Sequence, residues 1–450
     1  MISNNTRDLC LDMLVSILEK KQLSHVVLRE TLKENSHLNK KDRSFLTRLT
    51  EGTVEYCIFI DYIIDEFSKT KVSKMKPLIR NILRLSVYQI KYMDSVPDSA
   101  VCNEAVKLAE KHGFAGLKGF VNGVLRNIAR SIDDVKLPNP SEDMVKHLSV
   151  KYSMPVWIVE KYIYSFGIED SIKIFEAYLS HDKKLQVRCN TSEKSVDEIV
   201  QMLCEDGVKV TRSNNLSDAI YIENYDYIEK LQAFLDGYIQ VQNFSSMLAA
   251  CIADPKEGYN VIDMCAAPGG KTMHMADIMK NTGHIISRDI NEKKVNLIRE
   301  NLERFGYTNV EPQVFDATVP DARYFRKMDL VMCDIPCSGL GVISRKPDIK
   351  YNVTKESIEN LIPIQRNILS NAVRYLKKGG KLVFSTCTIN TEENMGNYNY
   401  LMENFKLKPA DISDIVPKGL QTDTLKDGYL QILPDKYGND GFFICKFIKK

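Results

Sequence analysis

Apolar residues in the first 133 positions recur at spacings of three and four. Leu9, Leu11, Met13, Leu14, Ile17 and Leu18 set the pattern, which returns over Phe45–Ile63, Ile79–Tyr92 and Val101–Leu108. Such spacing puts apolar side chains on one face of a helix, so this stretch reads as a helical bundle. Gly113, Gly116, Gly119 and Gly123 punctuate its later part, and Val135–Pro140, with two prolines, reads as a boundary. From 141 to about 240 the period changes. Leu185–Cys189, Val208–Thr211, Ala219–Ile222 and Tyr238–Val241 are strand-like, with a helix expected from about Ser195 to Glu205. Short strands around a helix predict a small α+β module. From about Gln242 onward strands and helices alternate. Strands are expected at Asn260–Met264, His284–Arg288, Val310–Phe315, Leu330–Cys333, Lys381–Ser385 and Phe442–Phe447. Helices fit at Lys271–Lys280, Glu292–Phe305, Lys355–Lys378 and about Thr391–Phe405. This alternation predicts a doubly wound parallel sheet.

Composition adds limits. A chain of 450 residues has room for several domains, and 44% hydrophobic residues is ordinary for a globular protein. The 61 Lys+Arg nearly balance the 59 Asp+Glu, which excludes a strongly basic or acidic tail. The balance is uneven, with residues 1–140 at +5 and 141–450 at −3. Over 71–130, Lys71, Lys74, Lys76, Arg80, Arg84, Lys91, Lys107, Lys111, Lys118, Arg126 and Arg130 meet only four acids. A basic helical face would suit phosphate contacts, against the simpler reading of dispersed, solvated charge. Arg345, Lys346 and Lys350 form a second basic set, placed in sequence to clamp phosphates around a target nucleotide. Eleven cysteines, an odd number in a long chain, exclude a small secreted disulfide scaffold. Residues 1–20 lack the features of a signal peptide, and no apolar run reaches membrane-spanning length. The expectation is a cytoplasmic monomer with reduced thiols and no membrane partner.

Ligands of a doubly wound sheet bind beyond the carboxyl ends of its strands. After the first predicted strand stand Cys265, Ala266, Ala267, Pro268, Gly269, Gly270, Lys271 and Thr272. Asp289 and Asp316 follow the next two, Asp334-Ile-Pro-Cys337 the fourth and Thr386-Cys387-Thr388 the fifth. Small residues let backbone N–H groups approach a ligand ahead of a helix N-terminus. A phosphate-binding P-loop would need Gly at Cys265, and Gly-x-Gly-x-x-Gly is absent there. Asp289 suits ribose hydroxyls and Asp316 an adenine amino group. An adenosine ligand without a required pyrophosphate fits both, with S-adenosylmethionine the natural candidate and a nucleoside triphosphate the alternative.

Cys10, Cys57, Cys102, Cys204, Cys251, Cys333 and Cys445 read as small apolar filler. Cys337 and Cys387 differ, because both lie in loops where a substrate would sit. Without a Cys-x-x-Cys pair or a His nearby in sequence, no metal is expected. A thiolate beside a methyl donor suits carbon 5 of cytosine, which becomes nucleophilic once a thiolate adds at carbon 6. Asp334 is placed to stabilise the ring nitrogen N3 during that addition.

Asp263-Met-Cys-Ala-Ala-Pro-Gly-Gly-Lys-Thr272, Asp334-Ile-Pro-Cys-Ser-Gly-Leu-Gly-Val342 and Ser385-Thr-Cys-Thr-Ile-Asn-Thr-Glu-Glu-Asn394 resemble motifs of the RNA cytosine-C5 methyltransferases. Gln242-Asn-Phe-Ser-Ser-Met247 and Asp440-Gly-Phe-Phe443 match further family motifs. Upstream, Asp42–Gly52, Ile82–Gln89, Asn103–Val106 and Phe120–Arg126 are similar to a NusB-like helical domain. Together they resemble the bacterial 16S ribosomal RNA cytosine-C5 methyltransferases of the RsmB/Sun (Fmu) family. Arg288, Phe244 and Asn439 stand where that family commonly has other residue types.

The resemblance implies a multidomain fold. An all-α NusB-like RNA-binding bundle would span 1–135 and a small α+β module 141–240. An α/β Rossmann-like class I methyltransferase domain would span 241–450. It makes Cys387 the nucleophile and Cys337 the thiol that assists release. It also makes Cys265–Lys271, Asp289, Asp316 and Asp334 the S-adenosylmethionine contacts, and 16S ribosomal RNA the partner. The same chemistry on transfer RNA, or an idle RNA-binding assembly factor, are the alternatives.

Overall fold

The computed structural model describes residues 6–180, 184–435 and 439–450. The chain divides into two compact units. The first runs to Leu179 and also takes in Ile343–Val353; the second holds the rest.

The first unit is helical. It contains α1 (Thr6–Leu14), α2 (Ser24–Glu34), α3 (Lys40–Glu55), α4 (Cys57–Phe67), α5 (Pro77–Tyr92), α6 (Asp98–Lys111), α7 (Lys118–Ser131), α8 (Met144–Lys151) and α9 (Val156–Tyr178). Their apolar stripes meet in one core that includes Leu11, Leu14, Leu46, Leu49, Ile60, Ile82 and Leu125. The helical spacing over Phe45–Ile63 is carried by two helices, because Tyr56 leaves helical geometry at φ −98° and ψ 15°. Its ring stacks on Tyr92 at 4.4 Å. Gly119 and Gly123 do not interrupt the chain and lie within α7. The stretch 141–179, expected to open the α+β module, instead forms α8 and α9 in the helical unit. There α8 packs on α4, and the Ser153 hydroxyl accepts the Ile58 N–H at 3.0 Å. Glycine at 167, with φ 77°, kinks α9.

The second unit opens on a four-stranded antiparallel sheet ordered β2-β3-β1-β4. Its elements are β1 (Leu185–Cys189), α10 (Val196–Glu205), β2 (Lys209–Arg212), β3 (Ala219–Glu223), α11 (Gln232–Leu235) and β4 (Ile239–Val241). Ser195 and Glu198 close a capping box that starts α10, whose Ile199 and Leu203 cover Val187, Ile220 and Ile239. After α12 (Phe244–Ala253) comes the larger sheet. Its parts are β5 (Asn260–Asp263), α13 (Gly270–Ile278), β6 (His284–Asp289), α14 (Glu292–Phe305), β7 (Val310–Val314) and β8 (Met328–Asp334). A short helix, α15 (Ile349–Asn352), lies in the first unit. The second unit then continues with α16 (Lys355–Tyr375), β9 (Leu376–Thr386), α17 (Met395–Asn404), β10 (Leu407–Pro409), β11 (Tyr429–Ile432) and β12 (Phe442–Lys449).

The larger sheet is ordered β10-β12-β9-β8-β5-β6-β7, with β11 on β12. Strands β5 to β9 pair in parallel, while β12 runs antiparallel to β9, β10 and β11. The sheet is therefore mixed, not wholly parallel. A parallel step needs a long crossover, usually through a helix, and the 410–441 return to β12 contains no α-helix among its described residues. The chain order reverses beside β5, which pairs with β6 on one side and β8 on the other. The carboxyl ends of β5, β6, β7, β8 and β9 share one edge.

Charge in the first unit is more compensated than the sequence implies. Arg84 is buried and forks onto Asp61 with two 2.7 Å bonds. Arg80 pairs with Glu19, Lys111 with Asp8 at 2.5 Å, and Lys91 with Asp133 at 2.8 Å. These acids lie outside 71–130 in sequence, so counting charge within that window missed them. Lys350 is 1% exposed and donates to the Glu55 carbonyl at 2.6 Å, with burial lowering its pKa to about 8. It is a buried strut of the helical unit and not a phosphate clamp. Among the described residues, no helix is long and apolar enough to cross a membrane.

Candidate active site

Strand β5 ends on Asp263, which is fully buried and accepts the Thr272 hydroxyl at 2.7 Å. The chain then turns through Met264–Gly269 into α13, with a cis bond at Ala267–Pro268 and Gly269 in the left-handed region at φ 102°. A residue with a side chain would be strained at Gly269. The Ala266 N–H bonds the Arg288 carbonyl at 2.8 Å, and the Ala267 N–H bonds Asp289 Oδ2 at 3.0 Å. The loop is thereby tied to the end of β6. Asp289 Oδ1 also takes the Ile290 N–H at 2.8 Å and Lys294 Nζ at 3.0 Å. Asp316, beyond β7, caps its own turn by accepting the Thr318 N–H and hydroxyl at 2.9 and 2.7 Å. Ile290 and Val319 are half-exposed apolar side chains beside these acids in sequence. Sequence reading passed over both, since a lone apolar residue in a loop carries no motif.

Asp334 ends β8. Its carboxylate joins the start of α13 to the end of β9, accepting Lys271 Nζ at 2.7 Å and the Ser385 hydroxyl at 2.7 Å. Beyond it, the sulfurs of Cys337 and Cys387 lie 3.4 Å apart, well outside disulfide bonding distance, and neither is in a disulfide. The hydrogen bond to Cys387, burial and the nearby Glu393 carboxyl all push the Cys337 pKa well up. That direction favours a protonated Cys337 thiol, and in the contact itself either sulfur can be the donor. Backbone contacts fix the two loops. The Gly341 N–H donates to the Cys387 carbonyl at 3.0 Å, and the Gly441 N–H donates to the Gly341 carbonyl at 2.8 Å. A Cβ on Gly341 would collide with the Gly441 carbonyl, and a Cβ on Gly441 would meet the Ile389 side chain and the Gly341 Cα, which gives the glycine of Asp440-Gly-Phe-Phe443 a physical reason.

The expected residues thus gather at one edge, with Cys337, Cys387, Asp334 and Lys271 in direct contact through pairs. Arg345, Lys346 and Lys350 belong to the first unit. Arg288, an unusual residue beside Asp289, is buried, bonds Asp321 at 2.7 Å and lies 4.2 Å over the Phe315 ring. It braces the sheet and holds the Asp321 carboxyl far below the usual carboxylate range, together with Arg323. Cys204 is exposed and so is not core filler. Among the described residues, no group of three or more His, Cys, Asp or Glu is arranged to hold a metal.

The donor set fits S-adenosylmethionine better than a triphosphate. Three carboxylates at the edge repel phosphates, whereas they suit hydroxyl and amino groups and a positive sulfonium. Side chains no larger than a methyl at Ala266, Ala267, Gly269 and Gly270 leave room for a ligand at the loop. Fold and site together define a Rossmann-like S-adenosylmethionine-dependent methyltransferase.

Comparison with known proteins narrows the class. Residues 250–448 match the family described as 16S rRNA methyltransferase RsmB/F, and 4–130 match the NusB family. Residues 154–228 match the RsmF/B-like ferredoxin-like domain, a range that begins inside the helical unit and ends in the smaller sheet. The chain is 36% identical over 453 residues to the probable ribosomal RNA small subunit methyltransferase B of Bacillus subtilis, covering all of both proteins. A crystal structure of PH0851 superposes at TM-score 0.83 with 26% identity, again covering all of both chains. NSun6 from Pyrococcus horikoshii with SFG gives TM-score 0.57 at 25% identity, covering 64% of this chain and 97% of that one. The chain belongs to the RsmB family of small-subunit ribosomal RNA methyltransferases.

Proposed function

We propose that the protein methylates carbon 5 of a specific cytosine in 16S ribosomal RNA, with Cys387 as the nucleophile. The observation that carries this reading is the pair of sulfurs not joined by a disulfide, Cys337 and Cys387, 3.4 Å apart at the edge that also bears Asp334. Methyl transfer to oxygen or nitrogen needs no thiol; transfer to carbon 5 of a pyrimidine does, because that carbon is not nucleophilic until carbon 6 is substituted.

The cofactor supplies an electrophilic methyl on a positively charged sulfur. Backbone groups of Cys265, Ala266, Ala267, Pro268, Gly269 and Gly270 would line its amino-acid portion. Asp289 would take the ribose hydroxyls and Asp316 the adenine amino group, with Ile290 and Val319 offering apolar surface. The Cys387 thiolate adds to carbon 6, forming S–C6 while the C5=C6 bond opens toward the ring. The Asp334–Lys271 pair stabilises the charge that reaches N3. Carbon 5 would then take the methyl while the S–CH3 bonding pair stays on the cofactor's sulfur as a neutral thioether. The carbon 5 proton would pass to water, its C–H pair re-forming C5=C6 as the C6–S pair leaves on Cys387. Cys337, still protonated, donates to the departing sulfur. The target base must leave any stack to reach these thiols, so a loop or flipped nucleotide is the substrate form.

Cys387→Ala should abolish both turnover and the covalent RNA adduct, and Cys337→Ala should accumulate a stalled adduct on denaturing gels. Bisulfite sequencing of 16S RNA from a gene deletion tests the substrate. Loss of one methylated cytosine supports it, and an unchanged pattern refutes it.

A further inference from the structure

Next to each active-site thiol stands a hydroxyl residue, Ser338 after Cys337 and Thr388 after Cys387. Their oxygens are 2.9 Å apart, so the hydroxyl pair runs beside the sulfur pair. Both hydroxyls lead to Glu393, a fully buried side chain. Its Oε2 accepts the Ser338 hydroxyl at 2.5 Å and Asn390 Nδ2 at 3.0 Å. Its Oε1 accepts the Ser338 N–H at 2.8 Å and Gln365 Nε2 at 3.0 Å. Every partner is a donor, which is the surrounding an acceptor-only carboxylate requires. Gln365 is itself fixed, donating to the Pro336 carbonyl at 2.9 Å and accepting from Asn397 Nδ2 at 2.8 Å. The Ser338 hydroxyl spends its one hydrogen on Glu393, so Thr388 donates to Ser338. Thr388 in turn accepts the Asn390 N–H at 3.2 Å.

A buried carboxylate is expensive to desolvate, and a neutral side chain would hold a loop more cheaply. We propose that Glu393 is a positioning residue for the reaction. Through Ser338 and Thr388 it locks the Pro-Cys loop onto the Thr-Cys loop and sets the Cys337 sulfur against the Cys387 sulfur. The proposal rests on the thiol roles given above. Glu393 also makes the surroundings of Cys337 more negative, which favours the protonated donor. Cys387 and Glu393 are the titratable groups that face Cys337.

The test is Glu393→Gln, which keeps the shape but turns one acceptor oxygen into a donor facing donors. Turnover should fall about 30-fold or more, as misplacement of a reacting group does, while KM for RNA and calorimetric affinity for S-adenosylmethionine stay within about threefold. A second readout needs no RNA. In a Cys387→Ala background, iodoacetamide labelling of Cys337 followed by mass spectrometry gives its pH profile. Removing the neighbouring anion should move that profile to lower pH by about one unit. Ser338→Ala, a milder change, should show the same turnover loss in smaller measure and serves if Glu393→Gln does not fold. Wild-type turnover in the folded variants, or an unmoved labelling profile, overturns the proposal. Absence of an RNA adduct in the unmodified protein would instead overturn the thiol roles, while the labelling profile still decides whether Glu393 acts on Cys337.

Discussion

At Asp263, one carboxylate oxygen meets the Thr272 hydroxyl and the other has no hydrogen-bond partner among the described residues. Burial pushes its pKa up to about 7. An unfolded chain titrates such a group near pH 4, so folding favours the protonated form. The stabilisation is complete below about pH 4 and is lost as the pH rises to about 7. Asp263→Asn should therefore gain stability over the native residue as pH increases, by roughly 4 kcal/mol between pH 4 and pH 7, and level off above. Thermal melts from pH 4 to pH 8 check this, and a difference that does not vary with pH contradicts it. Gly341→Ala should cost about 1–3 kcal/mol through the clash with Gly441 and should slow turnover as well, measured by urea unfolding and methyl incorporation. Single residues were unevenly legible. The loop Cys265–Lys271 and the two cysteine motifs stand directly after predicted strands, so position alone pointed to them. Glu393 lies inside a quoted motif, yet its partners come from Ser338, Gln365 and Asn390, and only the fold brings those together.

Among the elements, the most instructive is the segment Ile343–Val353. Read as sequence it is a basic loop six residues beyond Cys337; in the structure it belongs to the helical unit. Tyr351 packs against that unit's core, the Ser24 hydroxyl bonds the Asp348 carboxylate, and Lys350 reaches the Glu55 carbonyl. A lysine is normally exposed, and nothing in local sequence marks one that is buried. Lys350→Met should remove this donor to the Glu55 carbonyl, costing about 1–3 kcal/mol. Hydrogen exchange should rise at the end of α3 and in Ile343–Val353; unchanged protection there would refute the strut. Parallel strands β5, β6, β8 and β9 were legible because buried strands read as apolar runs between helical periods, whereas β7, with only Val310 buried, was legible from its place after a helix. Strands β10 and β11, of three and four residues, were too short to show a period.

For the whole molecule, charge tells less than its sum. Much of the basic excess over 71–130 is spent on Glu19, Asp61, Asp8 and Asp133, while Lys74, Lys76 and Arg126 are exposed. If the helical unit grips RNA, as the proposed function requires of some basic surface, these three are candidates for its contacts beside the exposed Lys71, Lys107, Lys118 and Arg130. Replacing each with Glu should weaken RNA binding at low salt and shallow the dependence of log affinity on log salt by roughly one per lost phosphate contact. Equal salt slopes in the variants would move the grip elsewhere. The three-part architecture was legible because its parts differ in period, from helical spacing to short strands to strand–helix alternation. The boundary near 141 was not, because α8 and α9 continue a helical unit past a proline-rich break.

The covalent step tests the account most directly. Protein, S-adenosylmethionine and a 16S RNA transcript containing 5-fluorocytidine should give a complex that survives denaturing electrophoresis, since fluorine cannot leave carbon 5 as a proton does. Peptide mapping should place the nucleotide on Cys387, with no complex from Cys387→Ala. A stable complex on another residue, or methylated RNA released without any covalent complex, would contradict it.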